Sequence, residues 1–350
     1  MIYFNSDYLE GAHPRVLARL SETNMTQTPG YGEDEFCDRA REIIRDLCHA
    51  PQADVHFLVG GTQVNATVLT AALKPYQGVV CADTGHIAVH ETGAIEAGGH
   101  KVLALPGANG RIDAGQVDAL CRLHHGDESH EHMVMPAALY LSCPTELGTL
   151  YSRDELCALR MVCDRWRLTF YLDGARLGYG MAARENTLDL PFLASVCDAF
   201  TIGGTKQGLL FGEALVITLD ALKKDFRYMI KRGGGMLAKG RLLGVQFEEM
   251  LKDGLYMQLS RHAIGQAMRL KDALAALNVP FMVESPTNQQ FPILPDAALD
   301  ALREKYGFAT IQRVDERHTA VRFCTSWATR PEDVDSLIES INTKLKPTFD

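Results

Sequence analysis

A chain of 350 residues is long enough for one large or two medium domains around a sizeable core, which excludes small disulfide- or metal-stapled folds. Hydrophobic residues at 46% and charged residues at 23% match ordinary globular composition. Thirty-five basic against forty-four acidic residues leave a net charge of −9, so no general attraction draws the chain to phosphate backbones or anionic lipid, and nucleic-acid and membrane partners are not expected.

In chain order, residues 1–7 lack the basic flank and apolar core of a secretory signal. No apolar run nears the roughly 18 residues of a spanning helix, so the chain is expected to stay in the cytoplasm. Its nine cysteines are odd in number, scattered and never spaced Cys-x-x-Cys, as expected of reduced thiols. From residue 55 onward short apolar runs alternate with helical patterns: strand 55–59, helix 62–73, strand 79–82, helix 87–97, strand 137–141, helix 154–167. That rhythm predicts a mostly parallel central sheet with helices on both faces. Between them lies a histidine-rich stretch, His124, His125, His130 and His132. It reads as a solvated loop in preference to a metal site, because no cysteine or ordered helical spacing accompanies it.

In the helix at 154–167, Leu156, Leu159, Cys163 and Trp166 share a stripe that Arg153, Arg160 and Arg167 avoid, so it is expected to cover one sheet face. Residues 168–173 and 199–203 read as the next strands, each closed by a glycine-rich turn. A break at Lys231-Arg232-Gly233-Gly234-Gly235-Met236 precedes a long amphipathic pattern over 242–276. Then come an apolar run at 281–284, a helix at 296–306, a strand at 319–325 and a final helix with Thr329 as cap and Pro331 in its first turn. These elements predict a large domain over 1–235 and a small α+β domain over 236–350 that includes a bridging helix.

Gly60-Gly61-Thr62 follows a strand and opens a helix with Val64, Val68, Ala71 and Ala72 at helical offsets. Unpaired N–H groups at a helix start attract anions, and glycine lets a phosphate reach the main chain. From these residues alone an ordinary turn capped by Thr62 is the alternative. The motif matches neither the dinucleotide nor the P-loop pattern. Asp173 ends a strand whose Leu168, Phe170 and Leu172 face the other side, which places its carboxylate at the carboxyl edge of the sheet, where open α/β sheets bind ligands. The next strand ends in Gly203-Gly204-Thr205 and delivers Lys206 to the same edge. Anion turn, strand-end carboxylate and strand-end amine together suit pyridoxal 5′-phosphate, which needs a phosphate cradle, a partner for its ring nitrogen and an amine for its aldehyde.

The run Asp83-Thr84-Gly85-His86-Ile87-Ala88-Val89-His90-Glu91-Thr92-Gly93-Ala94, with Gly30-Tyr31-Gly32-Glu33-Asp34 before it and Asp173-Gly174-Ala175-Arg176 and Gly203-Gly204-Thr205-Lys206 after it, resembles the low-specificity L-threonine aldolases. These are fold-type-I pyridoxal-phosphate enzymes of the β-eliminating lyase group. The likeness extends from Phe4-Asn5-Ser6-Asp7 to Thr325-Ser326-Trp327-Ala328-Thr329. It implies that Lys206 carries the cofactor's Schiff base, Asp173 pairs with the ring nitrogen, His86 stacks on the ring, and Gly60, Gly61 and Thr62 hold the phosphate. It further implies that Arg176 belongs to the cofactor pocket and, with Ser6 and Arg322, meets the substrate carboxylate, with no metal involved. For Arg322 the pattern agrees: it alternates with Val321 and Phe323, and its guanidinium suits a carboxylate.

The implied reaction is retro-aldol cleavage of L-threonine, L-allo-threonine and related β-hydroxy-α-amino acids to glycine and an aldehyde, in a homodimer or homotetramer with shared sites. His86 or Glu91 takes the hydroxyl proton, a choice the residues leave open. Many relatives carry Glu-Asn-Thr-His where this chain has Cys143-Pro144-Thr145-Glu146-Leu147-Gly148. The Thr-Glu-x-Gly form resembles a second branch that includes phenylserine-aldolase-like members. Some relatives also place a phosphate-binding arginine where Leu237 stands here; Arg232 or Lys239 is expected to replace it. β-Elimination, racemisation, transamination or a catalytically silent scaffold are the competing readings, since one cofactor geometry serves several reactions.

Overall fold

The computed structural model describes residues 1–345. Seven strands build the central sheet: β1 (Asp54–Leu58), β2 (Gln77–Ala82), β3 (Lys101–Leu105), β4 (Met135–Ser142), β5 (Thr169–Asp173), β6 (Ala199–Gly203) and β7 (Glu213–Ile217). Their spatial order is β1-β7-β6-β5-β4-β2-β3. β7 runs antiparallel between β1 and β6, and the other neighbours are parallel. Both faces are covered, as a largely parallel sheet requires. Phe170, Leu172, Phe200 and Val216 enter one core while Tyr171, Ala199, Leu215 and Ile217 enter the other, which is the period-two alternation of a strand.

Helix Arg153–Trp166 buries Leu156, Leu159 and Cys163 as its stripe predicts, with Ser152 and Glu155 forming a capping box at its start. Helix Gly61–Ala72 packs Val64, Val68 and Leu69 on the opposite face. The helix predicted over 87–97 is instead two short ones, His86–Val89 and Ala94–Ala97. Thr92 and Gly93 between them take left-handed φ of 51° and 71°, a conformation no α-helix contains. The long pattern over 242–276 likewise divides at Gly254, φ 71°, into Arg241–Leu251 and Leu255–Ala276. Among the described residues no helix is long and apolar enough to cross a membrane.

The C-terminal unit is a small sheet of Ile293–Pro295, His318–Cys324 and Ala309–Arg313, with Gln289–Gln290 also paired to the central strand. Helices Asp296–Arg303 and Pro331–Leu345 cover it. Residues 281–284 contribute only an isolated bridge, Phe281 to Pro292. The Thr329 hydroxyl accepts from Ser326 N, looking back along the chain from the helix it was expected to cap. Packing does not follow a division at 235/236. Phe247, Met250, Leu255 and Leu259 lie in the core of the large sheet, whereas Phe4 lies in the small-domain core with Tyr306 and Phe323. The bridging segment was placed by its amphipathic spacing, which shows an apolar face but not which core that face meets.

Candidate active site

The carboxyl ends of β5 and β6 approach so closely that side chains are excluded. A Cβ on Gly203 would lie 2.4 Å from the Ala175 carbonyl oxygen, and one on Gly174 would lie 2.0 Å from that of Thr201. Glycine therefore lets the two strand ends close on each other. Beyond Gly203, the Gly204 and Thr205 N–H groups donate to the Gly212 carbonyl at 3.0 and 3.1 Å, and Gly212 N donates to Thr205 Oγ1 at 3.0 Å. This clasp holds the turn Thr205–Gln207 and presents Lys206 to a cavity of about 310 Å³. The Tyr179 hydroxyl donates to the Lys206 carbonyl and fixes the turn from below.

Asp173 opens onto the same cavity and is nearly fully buried. Its Oδ2 accepts from Tyr140 Oη at 2.7 Å and Asn65 Nδ2 at 3.0 Å, and its Oδ1 from Ala175 N at 2.9 Å. Asn65 is held in turn by the Tyr171 hydroxyl at 2.7 Å and also donates to Glu91 Oε1 at 2.6 Å. Glu91 Oε1 meets His86 Nδ1 at 2.8 Å, so one buried chain runs from Asp173 through Asn65 and Glu91 to His86. Burial by itself depresses the His86 pKa, but Glu91, Glu146 and Asp173 outweigh it and leave it raised. With Nδ1 committed to Glu91, His86 keeps Nε2 for the cavity it lines.

Helix Gly61–Ala72 starts without a side-chain cap, so its leading N–H groups remain available to an anion. Thr62 does not cap it. A Cβ on Gly60 or Gly61 would meet nothing within 4 Å, and both residues line the cavity together with Thr62. An anion at the Gly60–Thr62 end, a cationic ring nitrogen at Asp173 and a carbonyl carbon at Lys206 are what this arrangement can hold.

Ser6, Arg176 and Arg322 are not among the residues lining this cavity; they lie beside it, joined by the segment 5–7. Arg176 turns its fork onto Asp7, with Nε to Oδ2 at 2.7 Å and Nη2 to Oδ1 at 3.0 Å. Arg322 donates Nη1 to Gln289 Oε1 and Nη2 to the Asn5 carbonyl, each at 3.0 Å. Ser6 Oγ and Arg322 Nε are buried without a partner, two unused donors suited to a carboxylate.

Several participants escape sequence reasoning. Asn65, Tyr140, Tyr171 and Asp7 reach the site only through tertiary packing. Glu146 lines the cavity and accepts from Ser142 Oγ at 3.2 Å. Of the two residues expected to stand in for the arginine missing at Leu237, Arg232 shares a cavity of about 570 Å³ with Thr62, Gln63 and Thr67. Lys239 opens onto a separate one with Gly30 and Thr26. In the histidine stretch, His125 stacks on Trp166 at 5.1 Å and His130 Nδ1 meets the Asp127 carbonyl at 2.8 Å.

Residues 4–297 match the family described as Beta-eliminating lyase. The chain is 30% identical to the low specificity L-threonine aldolase of Pseudomonas aeruginosa over 97% of its own length and 96% of the relative's. A solved threonine aldolase from Leishmania major is 39% identical with a TM-score of 0.96, covering 99% of this chain and 100% of that one. An aspartate aminotransferase from Thermus thermophilus shares the fold at 14% identity and a TM-score of 0.70, covering 98% and 91%.

Proposed function

The chain belongs to the β-eliminating lyase family, and from that premise we propose that it is a pyridoxal-5′-phosphate-dependent aldehyde-lyase. It cleaves L-threonine, L-allo-threonine and related β-hydroxy-α-amino acids to glycine and an aldehyde. The observation that carries this reading is the meeting, in one cavity, of Lys206, Asp173, His86 and the uncapped Gly60-Gly61-Thr62 turn. When bound, pyridoxal 5′-phosphate supplies a conjugated cationic ring that takes up the electron pair released at Cα.

The residues then divide the work. Backbone N–H groups from Gly61 onward, with the Thr62 hydroxyl, hold the phosphate. Asp173, oriented by Tyr140, Asn65 and Ala175 N, holds the proton on the ring nitrogen. Lys206 supplies the anchoring amine. Arg322 and Ser6, with their unused donors, would fix the substrate carboxylate and with it the orientation of the substrate's Cα; a displacement of about 1 Å there costs on the order of a hundredfold in rate. Arg176, locked to Asp7, holds the segment carrying Ser6. His86 takes the hydroxyl proton on Nε2 while Glu91 behind it steadies the resulting charge, and the Cα–Cβ bond opens to release the aldehyde.

A homodimer or homotetramer with shared sites is part of this reading; Arg232 lines, with Thr62, a second cavity apart from the one that holds Lys206. All nine cysteines are free, eight of them buried, which fits a reducing compartment such as the cytoplasm. Incubation with L-threonine, L-allo-threonine and phenylserine, with assay of both products, is the test. Glycine with an equal amount of aldehyde is expected; ammonia with 2-oxobutyrate from the threonines, or with phenylpyruvate from phenylserine, would overturn the reading in favour of elimination.

A further inference from the structure

Glu213 has no part in the chemistry above, yet the fold delivers it to the same cavity. Because β7 runs antiparallel to its neighbours, its first residue lies where β1 and β6 end: Glu213 is in register with Leu58 on one side and Gly203 on the other. Lys206 sits in the loop joining β6 to β7, and the Thr205–Gly212 clasp draws the two arms of that loop together. Lys206 and Glu213 line one cavity. Glu213 is 4% exposed, and its Oε2 has no hydrogen-bond partner. An undonated carboxylate oxygen in a closed space is costly unless a proton settles on it.

We propose that Glu213 is the proton partner of Lys206: an N–H bond of the ammonium breaks, an O–H bond forms on Glu213, and the electron pair left on Nζ becomes free to attack the cofactor's aldehyde carbon. The pair thereby activates the amine without releasing a proton to solvent. Burial raises the Glu213 pKa, Lys206 opposes that and Asp173 adds to it, leaving it at about 8; above that pH Glu213 is the carboxylate that takes the ammonium proton, and below it the acid, which does not. The other titratable groups facing it are Tyr171 from β5, Tyr256 from helix Leu255–Ala276, and His86 and Glu146 across the cavity. Glu213 acts through Lys206, so it is a positioning and proton-holding residue.

The inference rests on the cofactor assigned above, and its test needs no amino-acid substrate. Protein stripped of cofactor is mixed with pyridoxal 5′-phosphate, and covalent capture is followed by visible absorbance and by borohydride trapping from about pH 8 to about pH 10, between the Glu213 value and that of an ordinary lysine. An isolated lysine amine gains about tenfold in its neutral fraction per pH unit below its pKa. The native protein is expected to capture at a nearly constant rate over this window, because the proton stays within the pair. Glu213→Gln is expected to capture about tenfold or more slowly at about pH 8 with a rate that climbs with pH, while Glu213→Asp restores the flat profile. Superimposable pH profiles for the native protein and Glu213→Gln would overturn the proposal. A steep climb in the native protein would do so even if the variants failed to fold. Capture without aldehyde release in the separate product assay overturns the aldolase reading while leaving the Lys206–Glu213 pairing to be judged on its own profile.

Discussion

Asp173 is gripped by three donors from three elements: Tyr140 on β4, Asn65 on helix Gly61–Ala72 and the backbone of Ala175. Their geometry leaves the carboxylate one orientation toward the cavity. Substituting Asp173→Asn keeps the shape and removes the charge. Breaking one partner of a buried charge pair costs roughly 3–5 kcal/mol, and at about 1.4 kcal/mol per decade the expected loss in kcat/KM for aldehyde release is two to four orders of magnitude. A loss below tenfold would show that Asp173 does not hold the ring nitrogen. Lys206 and Asp173 were legible because each ends a strand at a glycine turn, a signal contained within a few residues. Asn65 was not, since it lies 108 positions from Asp173 on a helix whose local pattern says nothing about what its polar face meets. Glu213 was hidden for a related reason: its strand reads as an apolar run, and only the antiparallel sense of β7 turns its first residue toward the site.

The start of helix Gly61–Ala72 separates folding from binding. Gly60 is extended, φ −173°, a backbone any residue adopts, and the space beyond it is open. Glycine there is thus not required by the fold; it keeps room for the ligand. Gly60→Ala is expected to change the stability of the cofactor-free protein by less than about 1 kcal/mol, the scale of an N-cap substitution. Cofactor affinity should fall at least about tenfold, roughly the 1.4 kcal/mol of one lost contact. Thermal melting of the stripped protein and titration with pyridoxal 5′-phosphate distinguish the two effects; destabilisation with unchanged affinity would assign the glycine to folding after all. Elements with continuous apolar runs or a single amphipathic stripe were read correctly from periodicity, β6 among them. β3 was passed over because it is a half-exposed edge strand, and β7 because it follows the Lys206 turn without an intervening helix. The break at Gly254 was invisible because the apolar spacing continues across it.

At the scale of the molecule, residues 4–7 stitch the two cores together. Phe4 is buried with Tyr306 and Phe323 in the small core, Asn5 receives Arg322 from the small sheet, and Asp7 grips Arg176 just beyond β5. Asn288 adds a third strand of the stitch, donating to Asp7 Oδ2 at 3.0 Å and to the Thr325 carbonyl at 2.9 Å. Local pattern could not place this junction, which depends on the chain's first residues pairing with Tyr306–Gly307. Burial alone would raise the Asp7 pKa, but Arg176 and then Lys206 outweigh it and hold it at about 2 against an ordinary 3.8. A carboxylate whose folded pKa is depressed contributes stability that is complete above its unfolded value and is lost as pH falls through the folded one; here the contribution is on the order of 2 kcal/mol. Asp7→Asn leaves Arg176 buried without its counter-charge, so urea unfolding at neutral pH should show a loss of roughly 3–5 kcal/mol. The gap between native protein and variant should stay constant down to about pH 4 and then narrow toward about pH 2, where the native Asp7 is itself protonated. A gap that does not narrow over that range would mean that the Asp7 carboxylate is not what joins the two cores.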